Sequence, residues 1–175
     1  MPKIIEGVRE NILNIAKNLL FTEGYQALSM RTVATECGIA TGTIYNYFEN
    51  KEVLIANIMV QDWQVALVKM EKAVEVATSV WNGLDGIYHA ILDFVSIYEA
   101  IWTQSGSVGA SMITLERHRM LCQQIGTVVE KLLCNHGYEG KRDFSAFLAE
   151  NILSSATKMN FLPQIKEMVE TLFPS

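Results

Sequence analysis

The chain has 175 residues, half of them apolar, and a formal net charge of −5. That length suits one domain or two small ones with a real buried core, and the acidic balance argues against a general polyanion binder, which carries a basic surplus. No apolar run reaches the roughly 18 residues needed to cross a bilayer, and Glu6, Arg9 and Glu10 interrupt the stretch that a signal peptide would keep uncharged, so a cytoplasmic protein with no membrane partner is expected.

Nearly every segment repeats its apolar residues at spacings of three and four, and none alternates for long, which predicts an all-α fold. Ile5, Val8, Ile12, Ile15, Ala16, Leu19 and Leu20 give a first helix over about 3–23, stopped by Gly24 as a left-handed cap. Ser29 offers its oxygen to a short second helix that runs through Glu36 and ends at Gly38. A third helix follows over about 40–47, and Asn50 caps a fourth from Lys51 to about Ala77. The fourth carries the stripe Ile55, Ile58, Met59, Trp63, Ala66, Met70, Ala73 and Val74. Further helices are expected near 84–103, 108–136, 141–160 and 163–173, punctuated by Gly106, Gly137, Gly140 and Pro163. With no internal repeat and no low-complexity linker, the chain divides into 1–50 and 51–175, and the fourth helix is a rigid connector.

Two short helices joined by a tight turn cross steeply only if the contact residue is small and the turn residue tolerates positive φ. Ala34 and Gly38 occupy those places. Val33, Ile39 and Ile44 supply the apolar side, leaving Thr41, Thr43, Tyr45, Asn46 and Tyr47 for the remaining faces. This is the layout of a helix-turn-helix, whose second helix enters the major groove. Lys51 adds an independent clue: a cation in the first turn of a helix opposes the macrodipole, and a phosphate bound there would reverse the sign. Residues 1–52 hold five Lys and Arg against six Glu, so this part is close to neutral. Tyrosine and threonine hydroxyls bind phosphate without adding charge, so an acidic chain can dock on DNA if its few cations line one edge.

With these residues in view, the stretch from Ile4 to Leu54 resembles the TetR/AcrR family of bacterial transcriptional regulators. The matching pattern is the FTEGY exit at 21–25, LSMRTVA at 28–34, CGI at 37–39, GTIYNYF at 42–48 and NKEVL at 50–54. The resemblance implies an N-terminal three-helix head joined by the fourth helix to an effector-binding and dimerisation domain. It implies a homodimeric repressor, released from a palindromic operator in double-stranded DNA by a small apolar ligand. It places Arg31 and Thr41 near base edges, Thr43 near bases or backbone, and Tyr45, Tyr47 and Lys51 on phosphates, with Ser29, Gly42 and Asn46 completing the contact set. Ala40 departs from the pattern, where a capping Ser is frequent.

In the C-terminal part the resemblance suggests an effector pocket, for which the candidates are Trp63, Trp81, Tyr88, Tyr98, Trp102 and Met112. An ordinary helical core accounts for the same residue types. Phe144, Leu148, Ile152 and Met159 form one stripe that Phe147, Leu153 and Ala156 widen beyond a single arc, which requires a second buried face. Together with Ser155, small enough for close approach, and with Ile165, Met168 and Leu172, this stripe is read as an isologous dimer bundle; the alternative is that both stripes pack within one subunit. Cys37, Cys122 and Cys134 fit neither a disulfide framework nor a CxxC zinc site and are read as reduced, mostly buried thiols. His118 and Cys122 share a helix face, but two ligands fall short of the four of a closed zinc site, so no metal and no cofactor is expected. His89 with Asp85 or Asp93 lacks a nucleophile or second carboxylate pair, which argues against an enzyme. A second functional reading keeps the helix-turn-helix in a ligand- or partner-binding module that acts through another protein.

Overall fold

In a computed structural model, residues 7–105, 115–140, 142–157 and 163–174 are described, and among them every regular element is an α-helix. The expectations placed on the Trp102 side chain, Met112 and Met159 lie outside the described residues. In chain order the helices are α1 (Val8–Thr22), α2 (Met30–Glu36), α3 (Thr41–Ile44), α4 (Lys51–Glu75), α5 (Val80–Ser105), α6 (Leu115–Asn135), α7 (Arg142–Thr157) and α8 (Pro163–Leu172).

Local punctuation sets most of these bounds. Gly24 takes φ 87° just beyond α1, a conformation that a Cβ would strain. The Ser29 hydroxyl oxygen accepts the Thr32 amide at 3.0 Å, and the Asn50 side chain accepts the Val53 amide at 2.8 Å, so both act as N-caps. Ser79 does the same for Asn82 at 3.1 Å, which starts α5 earlier than its apolar spacing predicts. The third helix is shorter than the expected 40–47. Ala40 at its N-cap has no side-chain oxygen to offer, and beyond Ile44 the chain tightens into three-residue closures, Asn46 to Thr43 at 3.1 Å and Tyr47 to Ile44 at 3.0 Å.

The chain forms two compact units. The first runs to Asp62 and takes in the end of α5 from Ala100; the second holds Trp63–Glu99 and the described residues from Leu115 onward. In the first unit, Ile12, Leu13, Ala16 and Leu20 of α1 are buried with Val33 and Ala34 of α2, Ile44 of α3, Phe48, and Leu54, Ile55 and Ile58 of α4. Two polar ties fasten α1 to α4: the Arg9 guanidinium donates to Asn57 Oδ1 at 2.5 Å, and Lys17 pairs with Asp62.

In the second unit α6 and α7 pack along one another, burying Ile125, Val129, Leu132 and Leu133 with Leu148, Ala149, Ile152 and Leu153. Two glycines of α5 mark close approaches. A Cβ on Gly86 would lie 2.6 Å from the Cβ of Ala73 on α4, and one on Gly83 would lie 2.3 Å from a Leu132 methyl on α6. Tyr138 and Phe144 each set their rings edge-on to Phe173, with centroids 4.7 and 5.3 Å away.

Among the described residues α4 has the length and apolarity of a membrane span, by composition alone, beyond what the apolar runs predicted. Its apolar side chains nevertheless do core work. Leu54, Ile55 and Ile58 are buried in the first unit, and Trp63, Ala66, Met70 and Val74 in the second.

Candidate nucleic-acid interface

The turn between α2 and α3 is built from backbone hydrogen bonds. Gly38 takes φ 66°, which lets the Ile39 amide reach back to the Ala34 carbonyl and the Gly38 amide to the Thr35 carbonyl, both at 3.0 Å. This double closure is a Schellman cap, and it satisfies the end carbonyls of α2 while turning the chain sharply into α3. Val33, Ala34 and Ile44 are at most 1% exposed, so the crossing is sealed on its inner side.

Burial then sorts the residues of α3 and of the turn after it. Ile44 and Phe48, four apart, point inward at 0% and 1% exposure. Thr41, Gly42, Tyr45 and Asn46 are exposed, while Thr43 and Tyr47 are half-buried. Positions 41 and 45, like 42 and 46, are also four apart, so one turn of chain carries an outer face of hydroxyls and an amide opposite its apolar anchor. Arg31 is exposed on α2, and the Thr35 hydroxyl donates to its carbonyl at 3.0 Å. Ser29 is also exposed, but its hydroxyl is engaged in capping α2 and lies 2.7 Å from the Thr32 hydroxyl.

Lys51 opens α4 beside this face. Its ammonium donates to the Tyr25 carbonyl and lies 3.7 Å from the centroid of the Tyr25 ring, a cation–π contact. Burial lowers the Lys51 pKa, and Glu52 works in the opposite direction. Burial raises the Tyr25 pKa, aided by the charge of Glu52 and by the Tyr25 hydroxyl donating to that carboxylate at 3.4 Å. An ammonium has three donors, so the bond to the carbonyl leaves others for a phosphate oxygen. The Arg9 guanidinium lies 5.3 Å over the ring of Phe48, which adds a cation at the exit of α3 that sequence reasoning missed; the two residues are far apart in the chain, and no local pattern joins them.

In the second unit Trp63, Tyr88 and Tyr98 are buried. Trp63 and Tyr98 meet through Phe94, whose ring lies 5.2 Å from each, and the Trp63 indole donates to Gln124 at 2.7 Å. The Lys166 ammonium lies 5.7 Å over the ring of Trp81. Of the residues assigned to a dimer bundle, Leu148, Ile152 and Ser155 lie inside the unit's own core at 0%, 4% and 5% exposure. Phe144, Ile165 and Met168 are half-buried, and Leu172 is exposed along with Phe147. A shallow groove of about 370 Å³ runs along Glu167, Met168, Thr171 and Leu172.

The thiols are less buried than expected: Cys134 is exposed, and Cys37 and Cys122 are half-buried. His89 bonds only locally, to the carbonyl and carboxylate of Asp85 at 2.8 and 3.5 Å among the contacts described. His118 and Cys122 acquire a third neighbour, Glu150 of α7.

A Schellman-capped pair of helices with a polar outer face and a lysine at its exit defines a helix-turn-helix DNA-binding module. Residues 12–58 match the model for bacterial regulatory proteins of the tetR family, so this stretch resembles the DNA-binding part of TetR-family transcriptional regulators. The regulator UidR of Escherichia coli K12 is 36% identical over 67 residues, 38% of this chain and 34% of its own length. The repressor KstR2 of Mycolicibacterium smegmatis is 25% identical over 89 residues, 50% of this chain and 42% of its own length. The chain thus spans well under half the length of these curated relatives. A TetR-family regulator from Pectobacterium atrosepticum shares the fold with a TM-score of 0.74 at 14% identity, over 97% of this chain and 96% of its own. The TetR-family repressor AlkX from Dietzia follows it at 0.61 and 16% identity, over 94% and 92%.

Proposed function

We propose that the protein is a cytoplasmic, homodimeric transcriptional repressor that reads a palindromic operator with α2 and α3 and leaves it when a small apolar ligand binds the second unit. The observation that carries this reading is the outer face of α3 and the turn that follows it, where Thr41, Gly42, Tyr45 and Asn46 are exposed while Ile44 and Phe48 are fully inside. Four neighbouring polar or small residues held out by a rigid apolar anchor suit a groove. Arg31, Thr41 and Thr43 are assigned to base edges, and Tyr45, Tyr47 and Lys51 to phosphates, with Ser29 setting the start of α2 rather than touching DNA.

KstR2, which matches half of this chain, is named a repressor, and this supports the direction of control. A second copy would use the outer side of α7 and α8, because Leu148, Ile152 and Ser155 are already covered within one chain. The aromatic cluster around Trp63, Phe94 and Tyr98 is where an apolar ligand would find matching chemistry.

The test is selection of DNA fragments by the purified protein. A twofold dimer with one reading helix per subunit should enrich inverted repeats whose half-sites lie about 34–36 Å apart, or a multiple of that. Enriched fragments lacking any inverted repeat would overturn the symmetric reading. No enrichment at all would favour a module that acts through another protein.

A further inference from the structure

We propose that His118, Cys122 and Glu150 form a binding site for one divalent transition-metal cation of the zinc class, joining α6 to α7. The site lies in the second unit and is independent of the reading face. His118 and Cys122 stand one turn apart on α6, with Nε2 and Sγ 3.6 Å apart. Glu150 reaches across from α7 and places its carboxylate oxygens 2.8 and 3.0 Å from Nε2 and one of them 3.0 Å from Sγ. The ligating atoms all fall within 4.8 Å of one another.

These separations suit a tetrahedral ion. Zinc bonds of about 2.0–2.3 Å to nitrogen, oxygen and sulfur put neighbouring donors roughly 3.3–3.6 Å apart. The histidine–cysteine edge already has that length. The carboxylate would need to withdraw by about half an ångström to admit the ion, and the Glu150 side chain, 55% exposed, has room to do so. Without an ion the carboxylate accepts from both neighbours; with one, it turns from hydrogen-bond acceptor to ligand.

The donor set selects the class of metal. Calcium and magnesium require oxygen ligands almost throughout, whereas one imidazole, one thiolate and one carboxylate suit a borderline-soft ion. Three protein ligands with a solvent-facing side leave the fourth position to water, as in exchangeable rather than closed structural sites. Binding keeps the metal's oxidation state: the metal–sulfur bond replaces the S–H bond, the thiol proton leaves to solvent, and Nε2 offers its lone pair with any proton it carried released or held on Nδ1.

The experiment uses the full chain under reducing conditions, titrated with cobalt(II) as a spectroscopic stand-in and then with zinc. One equivalent of cobalt should give a tetrahedral d–d spectrum with a thiolate-to-cobalt charge-transfer band, which zinc displaces. Cys122→Ser should abolish that band, and His118→Gln and Glu150→Gln should each weaken binding by more than about 100-fold, beyond the loss from an outer-sphere partner. Cys134→Ser should leave the band intact, which separates this site from the exposed thiol beside His136. Helicity measured by circular dichroism identifies any variant that fails to fold, and Glu150→Gln, the mildest change, then carries the test. No thiolate band at stoichiometric cobalt, a band that survives Cys122→Ser, or one lost with Cys134→Ser would overturn the assignment.

Discussion

Replacing Gly86 by alanine should destabilise the second unit even though alanine is the better helix former. The added Cβ would lie 2.6 Å from the Cβ of Ala73 on α4. Ala73 has no side-chain torsion through which to withdraw, so the two helices must separate by roughly 0.8 Å to restore ordinary contact in a close-packed interior. Overpacking of this kind costs about 1–3 kcal/mol, and the gain in helix propensity offsets about 0.8–1.0 kcal/mol of it. The net loss is about 0–2 kcal/mol, and each kcal/mol lowers the melting temperature by roughly 2–4 °C in a chain of this size. The reciprocal change isolates the contact. Ala73→Gly alone should cost about 1 kcal/mol in propensity, whereas the double variant moves one methyl from α4 to α5 and should melt close to the natural protein. Thermal melts of the four proteins, followed by circular dichroism, should give a coupling of about 1–3 kcal/mol. A Gly86→Ala protein that gains the full propensity benefit, with no coupling to Ala73, would refute the close approach.

Lys51→Ala should lower the salt slope of operator binding by about one unit while leaving sequence preference unchanged, whereas Arg31→Ala or Thr43→Ala should alter preference by about 1–3 kcal/mol at one position. Salt titrations on matched and mismatched sites distinguish these, and a changed preference at an unchanged slope for Lys51→Ala would reverse the assignment. Phe147→Asp, at a side chain 49% exposed on α7, should raise the dimer dissociation constant about tenfold or more, the effect of losing about 1.4 kcal/mol. Sedimentation over a concentration series reads this directly, and an unchanged constant would place the interface elsewhere.

What could be read from sequence is what acts within one or two turns of chain. Gly24, Ser29, Gly38 and Asn50 each govern backbone groups no more than five residues away, so their residue types alone announce helix ends. The early end of α3 was not legible: its spacing predicted a helix over 40–47, whereas the chain leaves the α pattern after Ile44 through three-residue closures. Pairings at long separation were not legible: Lys51 meets Tyr25 across 26 residues and Cys122 meets Glu150 across 28. The widened stripe of α7 announced two apolar faces, but periodicity cannot say whether a neighbouring helix or another molecule covers each one. The helices beside Leu148 and Ile152 cover theirs; Phe147 remains outside. The expectation of buried thiols failed at Cys134 for a related reason. A small apolar residue in a helix reads the same on either side, and only packing decides its face.

The cap that closes α2 also limits how the head can move. Both amides of the turn, those of Gly38 and Ile39, are bonded back into the helix they leave, so opening the bend would break two backbone hydrogen bonds. It behaves as a welded joint rather than a hinge. In amide hydrogen exchange these two positions should be protected with α2 despite lying near the surface, and any event that repositions α3 must carry α2 and the α1 residues packed on it as one block.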